Sequence, residues 1–473
     1  MIKTRFCPSP TGLLHLGNLR TALFALLFAR NQKGHFLLRI EDTDKTRSEE
    51  CYTQLLQQDL QWLGMDWDEG PDHEKGLGPY WQSQRQSIYD QYYQRLETNG
   101  SAYPCFCSEE QLALARKVQR ASNKPPRYPG TCRHLTPQEI TERLARGLQP
   151  TLRFAVSQEG HTQFKDLVRG NQNFENSDIG DFIIRRTDGT SPFVYCNAID
   201  DSLMGVTHVL RGEDHIANTP RQIMVLQALD LRIPEYGHIS LITGEDGAPL
   251  SKRNGSQSAQ DLKAQGYFPE AVVNYLARLG HHYEEDGWMP FEILASKFSL
   301  DALGLSPARF DVHQLLHWQH EALARCDQQR LWEWMGEEVH HQVPQEKQEM
   351  FVQTIRHNIT FPKDALHWAE ILFGETLDYS EEHGAILEKA GPAYFHVLLK
   401  TLESAGADYS AITTALTREL GIKGKDLFAP LRVVCTNQLK GPELVHIFAL
   451  LGVEGLMARV KSVRGFNSLE IAE

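Results

Sequence analysis

The chain has 473 residues, 41% hydrophobic and 23% charged, an ordinary balance for a globular protein with length for roughly three domains. Met1 to Pro8 holds no apolar signal region and the later apolar run Thr21 to Ala29 is too short to cross a bilayer. Eight cysteines scattered over such a chain argue against a disulfide scaffold, so a reduced, cytoplasmic protein without a membrane partner is expected. The formal net charge of −13 disfavours a polyanionic partner, so any nucleic acid must be held by local basic patches.

Thr4 to Cys7 reads as a short strand that breaks at Pro8-Ser-Pro-Thr-Gly12, and the apolar stretch Leu19 to Arg30 reads as a helix. Phe36 to Ile40 is the next expected strand, ending in Glu41-Asp-Thr-Asp44. This order opens a doubly wound α/β sheet, whose ligands sit beyond the carboxyl ends of the strands. From about Pro71 to Thr190 the texture changes to a cysteine-containing block and a Lys/Pro/Arg loop, read as an insertion. The sheet is expected to resume with strands over Phe193 to Ile199 and Val206 to Leu210, with Arg211 to Asp214 on a loop and a helix starting at Thr219-Pro220. Beyond about residue 300 the spacing is helical, for example Leu387, Ala390, Leu398, Leu399 and Leu402, with almost no strand signal.

Small turn residues ahead of a helix start let backbone N–H groups approach phosphate, and the helix N-terminus adds partial positive charge; Pro8 to Asn18 has that form. The tetrapeptide His15-Leu-Gly-Asn18 is weak alone, as is Leu250-Ser-Lys252-Arg253, which by itself passes for a surface turn. Together with Pro8-Ser-Pro-Thr-Gly12 and Arg39-Ile-Glu-Asp-Thr-Asp44 they carry the nucleotide reading. A substrate with two carboxylates and an ammonium needs separated cations and an acid, and Arg5, Arg211 and Glu41 stand at strand ends; an Arg5–Glu41 salt bridge is the plain structural alternative.

On these blocks, and on Asp201 to His215, Gly266 to Ala271 and Phe310-Asp311 with Trp318, the chain resembles a class I aminoacyl-tRNA synthetase, specifically a bacterial glutamyl-tRNA synthetase. The resemblance implies a Rossmann-like catalytic domain carrying an inserted acceptor-binding domain, followed by all-α anticodon-binding domains. It implies activation of L-glutamate by ATP, with Mg²⁺ on the phosphates, and transfer to tRNA(Glu) by a monomer. Whether tRNA(Gln) is also charged stays open, since Asn358 stands where discriminating relatives tend to present an Arg.

By the same resemblance His15, Asn18 and Lys252 are the catalytic residues, and Gly12, Gly17, Glu213 and Arg253 join them around ATP. Arg5, Ser9, Glu41, Phe193, Asn197 and Arg211 are implied for glutamate. Two positions depart from the pattern. Phe193 stands where many relatives carry Tyr, with Tyr195 two residues later, and Pro249 stands where the fuller second signature has its first Lys.

The expected segments are 1–70 and 191–240 for the two catalytic halves, 71–190 for the insertion and 241–310 for the Lys252 loop with stem-contact helices. Anticodon-binding subdomains follow over 311–380 and 381–473. Cys105-Phe-Cys107 and Cys132-Arg-His134 form two close ligand pairs that suit a tetrahedral structural Zn²⁺; small core cysteines on a strand are the alternative. Lys423, Lys425, Arg432, Arg459, Lys461 and Arg464 are candidates for tRNA phosphates. A glutaminyl-tRNA synthetase, which would read the anticodon with β-barrels, and a catalytically weak tRNA-binding paralogue are the rival readings; the helical last third opposes the first.

Overall fold

The structure, a computed structural model, describes residues 1–43, 50–123, 125–250, 257–374 and 377–463. It divides into two compact units, residues 1–262 with 272–314, and residues 263–271 with 315–473.

The first unit opens with β1 (Lys3–Phe6), α1 (Leu16–Asn31) and β2 (His35–Leu38), the strands pairing in parallel from Lys3↔His35 to Phe6↔Leu38. Residues Ala22 to Ala29 of α1 are buried on every face, so this helix is held by packing all round rather than by one apolar stripe. α2 (Glu50–Trp62) and α3 (Gln86–Thr98) follow.

The insertion comprises β3 (Ala102–Cys105), α4 (Glu109–Ala121), α5 (Pro137–Ala145), β4 (Thr151–Phe154), the hairpin of β5 (His161–Asp166) and β6 (Gly170–Glu175), the one-turn α6 (Asn176–Ile179) and β7 (Phe182–Arg185). Its strands are antiparallel, in the order β3-β4-β7 with β5-β6 as a separate pair. The antiparallel pair β5-β6 needs only a short hairpin turn, whereas the parallel pair β1-β2 requires the helical crossover α1.

The segment Phe193–Leu203 is helix α7, not the expected strand. A short run of aromatic and apolar residues has no period that separates strand from buried helix. The decision falls to packing: Tyr195, Cys196 and Ile199 all face the core cluster of α3, β4 and β7, and the Tyr195 ring stacks on Tyr93 at 4.3 Å. The chain continues through β8 (His208–Gly212), a short 3-10 turn, α8 (Thr219–Ala228) begun by Pro220, and β9 (Glu235–Ile239). Arg211 therefore sits inside a strand, not on the loop expected for it. β8 and β9 pair in parallel, and Thr207 N–H donates to Lys3 C=O at 2.8 Å, stitching the start of β8 to β1.

In the second unit the described residues after Arg309 carry helices and no strand. Its longest element, Glu381–Ala405, buries Leu387, Leu398 and Leu402; it breaks at Gly391, whose φ of 78° is followed by Pro392, which has no amide proton to continue the ladder.

Candidate active site

The first wall of the site is the entry to α1. His15 caps that helix: its Nδ1 accepts from Gly17 N–H at 3.2 Å, and its own N–H donates to Asn18 Oδ1 at 3.4 Å. Using Nδ1 as an acceptor leaves Nε2 to carry the proton of a neutral imidazole. Desolvation lowers the His15 pKa, which favours that neutral form. A Cβ at Gly17 would come within 3.1 Å of the His15 ring, so the missing side chain keeps the imidazole in place. The turn before it is tied down by Glu41 N–H, which donates to Pro8 C=O at 3.0 Å.

The second wall is built from buried charges. Arg5 Nε donates to Asp201 Oδ2 at 3.2 Å and Arg39 Nη2 approaches Asp201 Oδ1 at 2.8 Å. Arg39 is fully buried and also lies 3.5 Å from Glu41 and 3.8 Å from Asp200, while Arg85 Nε donates to Asp200 at 2.6 Å. Burial works against the Arg5 charge, and Asp201, Cys7 and Glu41 together outweigh it, so its pKa is raised. Desolvation raises the Glu41 pKa, opposed by Arg39 and by the amide of Asn197, which hydrogen-bonds Glu41 Oε1. Gln222 donates to Asn197 Oδ1 at 3.1 Å and so orients that amide.

Arg211 is held from behind. Its Nε donates to His238 Nε2 at 3.1 Å and its Nη2 to Thr219 Oγ1 at 2.8 Å, while the buried Nη1 has no hydrogen-bond partner among the described residues. Burial lowers the Arg211 pKa to about 10, which still leaves it charged at neutral pH.

These walls enclose a cavity of about 510 Å³ that brings together Arg5, Ser9, Gly12, His15, Gly17, Asn18, Glu41, Phe193, Asn197 and Arg211. Phe193 lines it and packs on the His215 ring at 5.1 Å. Tyr195 does not take over at the cavity: its hydroxyl donates to Tyr89 C=O at 3.1 Å in the core. Glu213 is not in the lining; its carboxylate accepts from Leu241 N–H at 2.9 Å and pairs with Arg169. Lys252 and Arg253 lie outside the described residues, but the chain on either side of them is fixed. Leu250 N–H donates to the C=O of Ile242, a cavity residue, and Ser258 bridges to His15.

Gln222, His238 and Asp166 support the site without having been singled out in the sequence, and Arg39, Asp201 and Thr219 stood there only as members of quoted blocks, with no site role given to them. The only local trace was a polar residue inside an apolar run, as with Arg39 after Phe36 to Leu38.

The sulfur atoms of Cys105, Cys107 and Cys132 lie within 4.8 Å of one another, a group able to hold a metal ion. His134 is exposed and does not join them; Tyr128 does, its hydroxyl 3.3 Å from Cys105 Sγ and accepting from Cys132 N–H at 2.8 Å. Burial raises the Cys105 thiol, but hydrogen bonding to Tyr128 and the nearby Arg153 bring it down to about 7. Burial and the neighbouring thiols push Cys107 up to about 11. Three thiols of which one ionises readily fit a thiophilic divalent metal; the imidazole is the part of the expected set that the fold leaves outside.

Among the basic candidates for RNA, Arg459 is buried and donates to Ile371 C=O at 2.5 Å, so it is a core residue. Lys423, Lys425 and Lys461 are exposed, Arg432 is half-buried against Pro442 C=O, and Arg464 lies outside the described residues. Asn358 ends a 3-10 turn just ahead of the helix Pro362–Phe373. No helix among the described residues is long and apolar enough to cross a membrane.

Residues 1–317 match the family described as tRNA synthetases class I (E and Q), catalytic domain, and residues 314–464 match an anticodon binding domain. A protein named glutamate–tRNA ligase 2 of Nitrosococcus oceani is 53% identical over 461 residues, 98% of each chain. One of the same name from Coxiella burnetii is 51% identical, over 98% of this chain and 99% of that one. A crystal structure titled as a glutamate tRNA ligase from Elizabethkingia meningosepticum in complex with its amino acid superposes with a TM-score of 0.90, at 26% identity, covering 99% of this chain and 100% of that one. With a catalytic-domain match over two thirds of its length, an anticodon domain after it and these relatives from end to end, the chain belongs to the class I tRNA synthetases of the glutamate and glutamine group.

Proposed function

We propose that the chain is a glutamate–tRNA ligase: it activates L-glutamate with ATP and transfers the glutamyl group to the 3′ end of tRNA(Glu), acting in the cytoplasm. The observation that carries this reading is one cavity lined by two buried arginines, Arg5 and Arg211, and a buried carboxylate, Glu41. Guanidiniums at the wall suit a substrate side-chain carboxylate, and the carboxylate of Glu41 suits an ammonium.

In this reading Arg5 and Arg211 take the side-chain carboxylate, Glu41 takes the α-ammonium, and Ser9 and Asn197 complete the polar contacts. The substrate's own α-carboxylate attacks the α-phosphorus of ATP in line and pyrophosphate leaves, so no protein nucleophile is needed and the work is positioning and charge stabilisation. His15 Nε2–H and the N-terminal amides of α1, beside Gly12, Gly17 and Asn18, are suited to hold phosphate oxygens. Lys252 and Arg253 belong to the same proposal as cations for the leaving group, supported by the anchoring of Leu250 and Ser258 at the cavity. Mg²⁺ bound with ATP would supply further neutralisation of phosphate charge. Glu213, engaged with Leu241 and Arg169, we assign to shaping the wall rather than to contacting ATP.

Structural zinc on Cys105, Cys107 and Cys132, and anticodon reading by the helical unit, complete the proposal. Glutamate-dependent pyrophosphate exchange that requires tRNA is the expected activity. Its absence with every acceptor tRNA would overturn the reading, and charging of both tRNA(Glu) and tRNA(Gln) transcripts measures the breadth of tRNA choice.

A further inference from the structure

Behind Arg211 lies a hydrogen-bonded chain whose proton positions are determined throughout. Asp166 is buried at the end of β5 and, as a carboxylate, can only accept. Its Oδ1 accepts from the N–H groups of Val168 at 2.9 Å, Arg169 at 2.8 Å and His238 at 3.2 Å. Its Oδ2 faces His238 Nδ1, so the ring proton must sit on Nδ1. His238 Nε2 is then a lone pair, and it faces two donors: Arg211 Nε at 3.1 Å and Thr219 Oγ1 at 3.1 Å. The Thr219 oxygen in turn accepts from Arg211 Nη2 at 2.8 Å. Every member has one consistent role, and Arg211 Nη1 alone is left over.

We propose that Asp166 and His238 are the positioning residues that select glutamate, acting by presenting a neutral imidazole acceptor to Arg211 and so holding its guanidinium at the cavity wall. This rests on the glutamate reading above. A protonated His238 would point a second N–H at a guanidinium 3.1 Å away, and burial of the ring opposes that form. Because Asp166 belongs to the β5–β6 hairpin, the insertion supports a pocket-lining residue from behind, through His238.

The test uses full-length protein and steady-state pyrophosphate-exchange kinetics in the presence of saturating tRNA(Glu) transcript, with L-glutamate and ATP varied separately. His238→Asn keeps a donor for Asp166 but has no acceptor at the Nε2 position. It should raise the glutamate KM about tenfold or more, the scale of a lost charge-assisted hydrogen bond, and leave the ATP KM within about twofold. His238→Gln carries its carbonyl oxygen out to that position and should recover part of the loss. Thr219→Val, which removes one hydroxyl with little change of shape, should move the glutamate KM alone and by less. An unchanged glutamate KM in His238→Asn, or equal rises for glutamate and ATP in all three variants, overturns the positioning role. A wild-type protein with no glutamate-dependent exchange overturns the functional reading itself, and the role with it.

Discussion

Arg5 donates from Nε to Asp201 at 3.2 Å, although the two residues are 196 positions apart along the chain, and the other oxygen of that carboxylate takes Arg39 at 2.8 Å. One buried anion thus sets the direction of a pocket-lining guanidinium and of the fully buried cation beneath Glu41. The plain alternative for Arg5, a salt bridge to Glu41, is not what the fold forms; Glu41 is turned to Arg39 and Asn197.

Asp201→Ala leaves Arg5 and Arg39 buried without their shared partner. Removing one member of a buried ion pair costs about 3–5 kcal/mol. Denaturant unfolding of the variant should show a loss on that scale, whereas a change below about 1 kcal/mol, the range of exposed pairs, would deny the network its structural role.

Glu41 titrates above the ordinary carboxylate range because it is buried. Its ionised form is the one able to hold an α-ammonium, so kcat/KM for glutamate should fall as the pH drops through this raised pKa. The stability sign is opposite: with a folded pKa above the unfolded one, the cost of burying the charge is absent at low pH and grows as pH rises through the folded value. Glu41→Gln should remove the acid limb of the glutamate profile and lower activity at neutral pH; an acid limb that persists in the variant assigns it to another group.

Metal analysis of purified protein should find about one zinc per chain, held by the three cysteine thiolates. Cys132→Ala should abolish binding, and His134→Ala should retain it, since His134 is exposed and apart from the three sulfur atoms. Loss of zinc in His134→Ala would reinstate the imidazole as a ligand.

Lys252→Ala should depress glutamate-dependent exchange by about 10²-fold or more, the cost of removing a transition-state charge partner, while tRNA affinity by filter binding stays within about twofold. Equal losses in both would mean that this position serves RNA binding instead.

The sequence by itself determined the elements whose logic is local. The turn Pro8 to Gly12 and the cap His15 to Asn18 are built from residues within eleven positions, and their hydrogen bonds are the ones that small turn residues and helix starts make. The helical last third was legible for the same reason, because 3.6-residue spacing is written along the chain. Tertiary structure decided the rest. Phe193 to Leu203 became helix because Tyr195 and Ile199 pack into a core shared with α3 and β4. Tyr128, not His134, met the cysteines, and Arg459 went into the core. Asp201, Asp166 and His238 gained meaning only through partners far off in the chain. A buried charge needs a specific counter-charge or acceptor at hydrogen-bond distance, and a linear sequence carries no information about which distant residue the fold will bring there.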